Sequence, residues 1–270
     1  MDDTIPAGLD TSTAHPARRY NYWLGGTDHF PADRESGDML ERAHPTVRLS
    51  ALENRAFLQR AVRFLAEEAG VDQFLDIGTG LPSANNTHEV AQRRVPRSRV
   101  VYVDNDPMVG LHARALLTSS PEGRTRYIEE DLRNPAAILE HPQLTETLDL
   151  NRPVGLILVA VLHFIPDHAQ ARGIVRELLA ALPSGSYLAA TTFTLDHSSP
   201  EQAAIAREMI AQGRVDAHPR THAEFAEYFT GLGMIGPGIV PVSEWLPEVP
   251  AHQRPAPELT AVYGAVGRKP

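Results

Sequence analysis

The 270-residue chain contains no cysteine, and among its 25 basic residues only Lys269 is a lysine. Without cysteine there is no disulfide, thiolate nucleophile, Cys-ligated zinc or cysteine-held iron–sulfur cluster. Without an internal lysine, a Walker A loop, a pyridoxal Schiff base and the Tyr–Lys pair of short-chain dehydrogenases cannot be built. Long apolar runs are missing too. The longest, Val154 to Leu162, is about half of the roughly 20 residues a membrane-spanning helix needs. The Met-Asp-Asp start lacks the basic n-region of a signal peptide, so a cytoplasmic enzyme without a membrane partner is expected. Positive charge is scarce: 25 Lys+Arg against 34 Asp+Glu leave a net charge of −9. That argues against nucleic acid as the main partner, because phosphate binding needs a concentrated basic face. The densest basic cluster, Arg93, Arg94, Arg97 and Arg99, lies between a predicted helix and strand and reads as a solvated turn. His88-Glu89 begins like a zinc-protease helix, but Gln92 stands where the second histidine belongs, and no Gly-x-Ser-x-Gly elbow occurs.

From residue 73 onward, short apolar runs alternate with helical periodicity. Strands are predicted at Gln73–Ile77, Arg99–Val103, Arg126–Glu129, Gly155–Val161, Ser186–Thr192 and Leu259–Val266, with a weaker one at Ile239–Val242. Helix starts are marked by Asp106-Pro107 and Asn134-Pro135, and by Asp167 with Gln170, Ser199 with Gln202, and Thr221 with Glu224. Strand–helix alternation with short links implies a parallel sheet covered on both faces. The expected fold is therefore α/β and doubly wound, with residues 71–270 forming the Rossmann-like core. Residues 1–70 are expected to form an N-terminal arm and helical cap. They comprise a Pro/Ala/Thr-rich start at 1–16, an aromatic block Ala17–Phe30 with a Gly-Gly pair, and an amphipathic helix Leu52–Ala69.

The chemistry concentrates at the strand ends. Phe74-Leu-Asp-Ile-Gly-Thr-Gly80 is a strand running into a glycine turn before a helix that starts near Asn86, at the switch point where doubly wound sheets bind ligands. Gly78 and Gly80 let the backbone approach a ligand, with Thr79 between them. Asp104 ends the next strand 24 residues after Gly80, close to the roughly 20-residue interval at which an acid meets ribose hydroxyls. An ionised carboxylate can accept from both hydroxyls of a vicinal diol. Asp106, before Pro107, reads instead as a helix cap, and Asn105 lies between the two. After the third strand, Asp131 and Leu132 can accept from an exocyclic amine and pack on a purine face. The dinucleotide fingerprint fails, because no third glycine follows Gly80 and no basic residue accompanies a pyrophosphate. A cofactor with adenosine but no phosphate fits better, and S-adenosylmethionine is the common one. Asp76, before the glycines, can receive its ammonium directly or through water.

Three blocks, Asp76–Pro82, Asn86–Gln92 and Val101–Pro107, closely resemble a family of actinobacterial S-adenosylmethionine-dependent methyltransferases formerly classed as a domain of unknown function. The block Ala17–Arg34, Asn54-Arg-Ala-Phe57, Pro183–Tyr187 and the ending Tyr263–Pro270 are similar as well. The resemblance implies a class I methyltransferase-like core that binds the cofactor through Gly78, Gly80, Asp104 and Asp131. The chain departs from the family pattern at Arg19, where an aliphatic residue is usual, at Asn21 for Asp, and at Thr27 for Lys. Substrate choice is expected to differ there if the lost charges bind substrate.

Methyl transfer is an in-line displacement, so the protein is expected to hold a small-molecule acceptor at near-attack distance and exclude water. Aromatic faces stabilise a sulfonium, which makes Tyr20, Tyr22 and Trp23 candidates for a lid over the methyl; the alternative is that they pack the arm on the core. His163, after the fourth strand, is a candidate base, with a hydrogen-bonded structural histidine as the alternative. Two other functions stand beside methyl transfer: a nicotinamide-dependent oxidoreductase, and a sensor that binds S-adenosylmethionine without catalysis.

Overall fold

The structure, a computed structural model, describes residues 9–116 and 118–270. Seven strands form one sheet: β1 (Gln73–Ile77), β2 (Arg99–Asp104), β3 (Arg124–Glu129), β4 (Gly155–Leu158), β5 (Tyr187–Phe193), β6 (Gly233–Pro241) and β7 (Val262–Arg268), in the order β3-β2-β1-β4-β5-β7-β6. The first five pair in parallel, and β7 runs antiparallel between β5 and β6. Every residue of β1 and β4 is buried, because helices cover both faces. Alternate side chains of one strand serve opposite layers. Leu75 and Ile77 pack with Leu156, Leu158 and the inner face of α8 (His168–Ala180). Phe74 packs into the other layer with Phe57, Leu65 and Trp245, whose ring meets that of Phe57 edge-on at 5.3 Å. This is the doubly wound, mostly parallel architecture that the alternation predicts. The remaining helices are α1 (Pro16–Trp23), α2 (Pro31–Ala43), α3 (Val47–Glu67), α4 (Thr87–Arg94), α5 (Pro107–Leu116), α6 (Pro135–Glu140), α7 (Pro142–Thr147), α9 (Pro200–Ala211) and α10 (His222–Glu227). Among the described residues no helix is long and apolar enough to cross a membrane.

Several boundaries differ from those expected, each for a local reason. The apolar run after Gly155 predicts a strand to Val161, but β4 stops at Leu158. Ala160 is left-handed at φ 57°, and Leu162–Phe164 forms a short 3-10 turn. Val159 to Val161 stay apolar because they line a cavity, not because the strand continues. The last strand begins at Val262 rather than Leu259, since Pro257–Leu259 is a 3-10 turn. β6 extends back to Gly233, with its pairing interrupted between Ile235 and Val240 where Gly236 and Gly238 take positive φ around Pro237. The helix expected from Leu52 starts earlier, at Val47.

The aromatic block folds into α1 and the turn after it. Gly25 ends the helix at φ 79°, and a Cβ at Gly26 would run into the Asn21 amide, so the Gly-Gly pair lets the chain reverse toward α2. Asp33, fully buried, joins the two helix starts by accepting from the backbone N–H of His15 and of Phe30, both at 2.8 Å. The decisive anchor is Arg18. Its Nε and Nη2 donate to the two carboxylate oxygens of Asp106, at 2.9 and 3.2 Å, and its Nη1 donates to the carbonyl of Asp10 at 2.8 Å. Asp106 also caps α5 by accepting from the Met108 N–H at 3.0 Å, as its place before Pro107 predicts. The pair ties the N-terminal helices to the turn after β2.

Both side chains are out of water, with the Asp106 carboxylate fully covered. Removing the cation leaves the buried carboxylate only the Met108 N–H and, at 3.1 Å, His15 Nδ1, and breaking a buried pair in this way costs about 3–5 kcal/mol. Arg18→Met is therefore expected to lower stability by that order in urea unfolding. A loss below about 1 kcal/mol, the range of an exposed pair, contradicts the anchoring role.

Candidate functional site

β1 is flanked by β2 and β4, and the chain leaves these neighbours in opposite directions, so a crevice opens above the strand ends. A cavity of about 490 Å³ occupies it, a size in the ordinary ligand-binding range. Its floor is Asp76 to Gly80, Asp104, Asn105 and the Val159–Val161 segment. Tyr20 and Trp23 from α1, Leu40 from α2, and Ala51, Asn54 and Arg55 from α3 cover it. Phe164, Leu195, Ala206, Met209 and Ile210 give the lining an apolar group beside Trp23 and Leu40, with Arg19, Ser198, Gln202 and Asp216 among them.

One end carries the polar groups named from the sequence. Gly78 and Gly80 both have positive φ, 73° and 66°. A Cβ at Gly78 would collide with Val161, whereas one at Gly80 would meet no atom within 4 Å. The first glycine is required by packing and the second by backbone conformation beside open space. The N–H groups of Gly78 and Thr79 donate to the Val103 carbonyl at 2.8 and 3.3 Å, fixing the turn against β2. Asp104 closes it: its Oδ2 accepts from the Gly80 N–H at 2.8 Å and its Oδ1 from the Asp106 N–H at 3.0 Å. Burial pushes the Asp104 carboxyl above the usual carboxylate range, and these two N–H donors oppose the shift. Asp131 accepts from Arg133 and, at 3.1 Å, from Asn105, and the Arg133 hydrogen bonds hold its pKa down to about 2. Leu132 lies beside it, buried against the core.

Asp76, like Asp104, is shifted upward. It is buried at the end of β1, and its Oδ2 accepts from the Thr87 hydroxyl at 2.6 Å. Burial raises its pKa to about 6, against the Thr87 hydrogen bond and the Arg55 charge, which both favour ionisation. The floor of this end thus holds two buried acids, Asp76 and Asp104, both pushed upward by burial.

Other candidates fall elsewhere. Tyr20 lines the cavity, with its hydroxyl donating to the Ala51 carbonyl at 2.9 Å and accepting from Asn54 Nδ2 at 3.0 Å. Tyr22 does not line it: the hydroxyl donates to Asp38 at 2.6 Å and the ring lies under the Arg48 guanidinium, so it packs α1 on α2 and α3. The expectation that Tyr22 binds cofactor is corrected, because a helix turns neighbouring positions to different faces and Tyr20 takes the inward one. His163 lines the cavity, but its Nδ1 accepts from the Phe193 N–H at 3.3 Å, its ring packs at 4.4 Å on Phe164, and burial lowers its pKa to about 4. In the neutral ring this leaves Nε2–H as a donor and no free lone pair for a base. The geometry therefore favours the structural role. Thr27 is exposed and outside the lining, while Asn21 holds the turn by accepting from the Asp28 N–H at 3.0 Å. Of the three family departures only Arg19 reaches the cavity, where it donates to Asp216 at 2.5 Å and to Ser36 at 3.2 Å. His88 is buried against the Tyr102 hydroxyl at 2.9 Å, and no metal-ligand cluster occurs among the described residues.

A family model described as S-adenosyl methyltransferase matches residues 2–270. A DUF574-family protein of known structure from Streptomyces avermitilis is 50% identical, with 97% of this chain and 99% of that chain covered and a TM-score of 0.91. A protein from Thermobifida fusca, provisionally described as a methyltransferase, is 40% identical, with 99% of both chains covered and a TM-score of 0.87. A SAM-dependent methyltransferase from Anabaena variabilis, at 13% identity and a TM-score of 0.50, shares the fold. A search of curated proteins finds no match.

The Asp76 titration has a stability consequence. Its folded pKa of about 6 lies above the ordinary 3.8, so the folded state keeps a proton that the unfolded chain releases. Stability falls as pH rises between those values, and above them the cost is about 3 kcal/mol. Asp76→Asn, which still accepts from Thr87, is expected to be more stable than wild type at about pH 8, with the difference vanishing near about pH 4. Urea melts across pH check this. A difference independent of pH contradicts the buried titration.

Proposed function

The chain belongs to the S-adenosyl methyltransferase family and is an S-adenosylmethionine-dependent enzyme, and from that premise we propose that it methylates a small, largely apolar acceptor held between α1, α2 and α9. The nicotinamide-dependent and non-catalytic readings give way to the family. The observation that supports the acceptor class is the lining of the cavity. The space lined by the glycine turn is also lined by Trp23, Leu40, Phe164, Met209 and Ile210. A small molecule can enter such a chamber whole.

The cofactor assignments rest on donor chemistry. An ionised carboxylate has about four acceptor sites. Backbone N–H groups occupy one on each oxygen of Asp104, which leaves one on each for the two ribose hydroxyls. Arg133 and Asn105 fill the acceptor sites of Asp131, so Asp131 acts by holding Asn105, whose amide takes the purine edge with Leu132 against its face. Asp76 takes the ammonium. When bound, S-adenosylmethionine supplies an electrophilic methyl on a sulfonium.

The protein's part is then to bind, orient and exclude water. The apolar walls desolvate the acceptor, and holding it in line supplies part of the rate enhancement. Tyr20, Trp23 and Phe164 give the chamber aromatic faces that favour a cation by roughly 0.5–2 kcal/mol each. No base is assigned. The Nδ1 of His163 is committed to Phe193, so this reading favours an acceptor whose nucleophilic atom needs no side-chain base to remove a proton.

Calorimetry tests the reading. The protein is expected to bind S-adenosylmethionine and S-adenosylhomocysteine and not NADH. Asp104→Ala is expected to weaken both complexes by about 1–3 kcal/mol; an unchanged affinity rejects the ribose assignment. With methyl-labelled cofactor, label is expected in small apolar acceptors. Label found only in protein or nucleic acid contradicts the acceptor class.

A further inference from the structure

We propose that two neighbouring residues of α3, Asn54 and Arg55, hold the amino-acid end of S-adenosylmethionine: the Arg55 guanidinium takes the carboxylate, and the Asn54 side-chain oxygen shares the ammonium with Asp76. The inference rests on the cofactor reading above and adds a subsite to it.

It starts from groups left without partners. Asn54 is 3% exposed and lines the cavity. Its Nδ2 donates to the Tyr20 hydroxyl at 3.0 Å, but its Oδ1 is buried with no hydrogen bond. Arg55 also lines the cavity, and its Nε is likewise buried without a partner. Leaving such groups unpaired costs roughly 1–3 kcal/mol each, more for a charge. Where such groups line a cavity, as these two do, a bound ligand can complete their bonding.

The charges point the same way. The amino-acid end of the cofactor is a zwitterion, so its site needs one anion and one cation. Asp76 is the anion. Of the cations in the lining, Arg19 is paired to Asp216 and Arg133 to Asp131. Arg55 donates from Nη2 only to neutral oxygens, the Ala84 carbonyl at 3.4 Å and Asn86 Oδ1 at 3.0 Å. Among the described residues it makes no ion pair. Those two contacts lie in the loop that follows the glycine turn, so they hold the guanidinium beside the backbone on which the cofactor is proposed to lie. The Arg55 charge is also near enough to Asp76 to favour ionisation of that acid against its burial. A guanidinium presents a planar fork of donors matched to a carboxylate, and the Asn86 contact fixes its orientation beforehand.

Ligands that differ only at this end provide the test. S-adenosylhomocysteine carries the amino acid; methylthioadenosine keeps the adenosine and thioether and lacks it; decarboxylated S-adenosylhomocysteine keeps the ammonium and lacks the carboxylate. By calorimetry on the wild-type protein, the decarboxylated ligand is expected to bind about tenfold or more weakly than S-adenosylhomocysteine. Arg55→Gln is expected to weaken S-adenosylhomocysteine by a similar factor while leaving methylthioadenosine within about twofold, and Arg55→Lys to recover part of the loss. The inference is overturned if the wild type binds the carboxylated and decarboxylated ligands equally. It is also overturned if Arg55→Gln weakens S-adenosylhomocysteine and methylthioadenosine alike, the mark of a structural role. A wild-type protein that binds none of the three refutes the cofactor reading instead, so the two failures are distinct.

Discussion

The ion pair between Arg18 and Asp106 is the constraint on which the site depends. A class of sheet that binds ligands at its strand ends leaves those ends open unless something covers them, and here the cover comes from the other end of the chain. Two guanidinium nitrogens on two carboxylate oxygens, both out of water, fix α1 over the turn that also carries Asp104. Asp106 thereby serves two ends: it caps α5 and receives the arm. Because Arg18 and Arg19 are consecutive on one helix, pinning the first places the second at the cavity, where its contact with Asp216 joins α1 to the segment after α9. The roof, the far wall and the floor of the cavity follow from one buried pair and the sheet beneath it.

This explains the distribution of polarity inside the cavity. Groups near the glycine turn are held by the sheet and are polar; those contributed by α1, α2 and α9 are mostly apolar. The rigid end is suited to a cofactor of fixed shape and the apolar end to an acceptor that brings its own reactive atom. A buried Asp76 costs stability near neutrality, a cost that a structural residue would not carry without return. Asn54 and Arg55, which line the same cavity and each keep an unmatched polar atom, fit the proposed ligand site.

What was legible in the sequence were the features with local causes. Strand β1, the glycine turn and Asp104 could be placed because a buried parallel strand is mostly apolar, as Phe74, Leu75 and Ile77 are, and its turn needs glycine where φ is positive. Their motifs carried the family resemblance, which the comparisons bear out. The caps at Ser199 and Thr221 are short-range and form as read. Strand ends were less legible: Val159 to Val161 are as apolar as a strand, but their apolarity serves the cavity. Long-range pairings left no signature at all. Nothing in the spacing of Arg18 and Asp106 announces a contact across 88 positions. The choice between Tyr20 and Tyr22 depended on the helix phase of α1, which eight residues do not define. Thr27, prominent as a missing lysine, lies on the surface, whereas the less conspicuous Arg19 reaches the cavity.

The central claim is that the sheet end around Gly78–Gly80 and Asp104 binds the cofactor while the chamber under α1 receives the acceptor. A crystal structure of the protein with S-adenosylhomocysteine measures this most directly. The account predicts density with the ribose on Asp104, the purine beside Leu132 and the sulfur facing the apolar chamber. Density for the ligand inside that chamber, with Asp104 untouched, would contradict it.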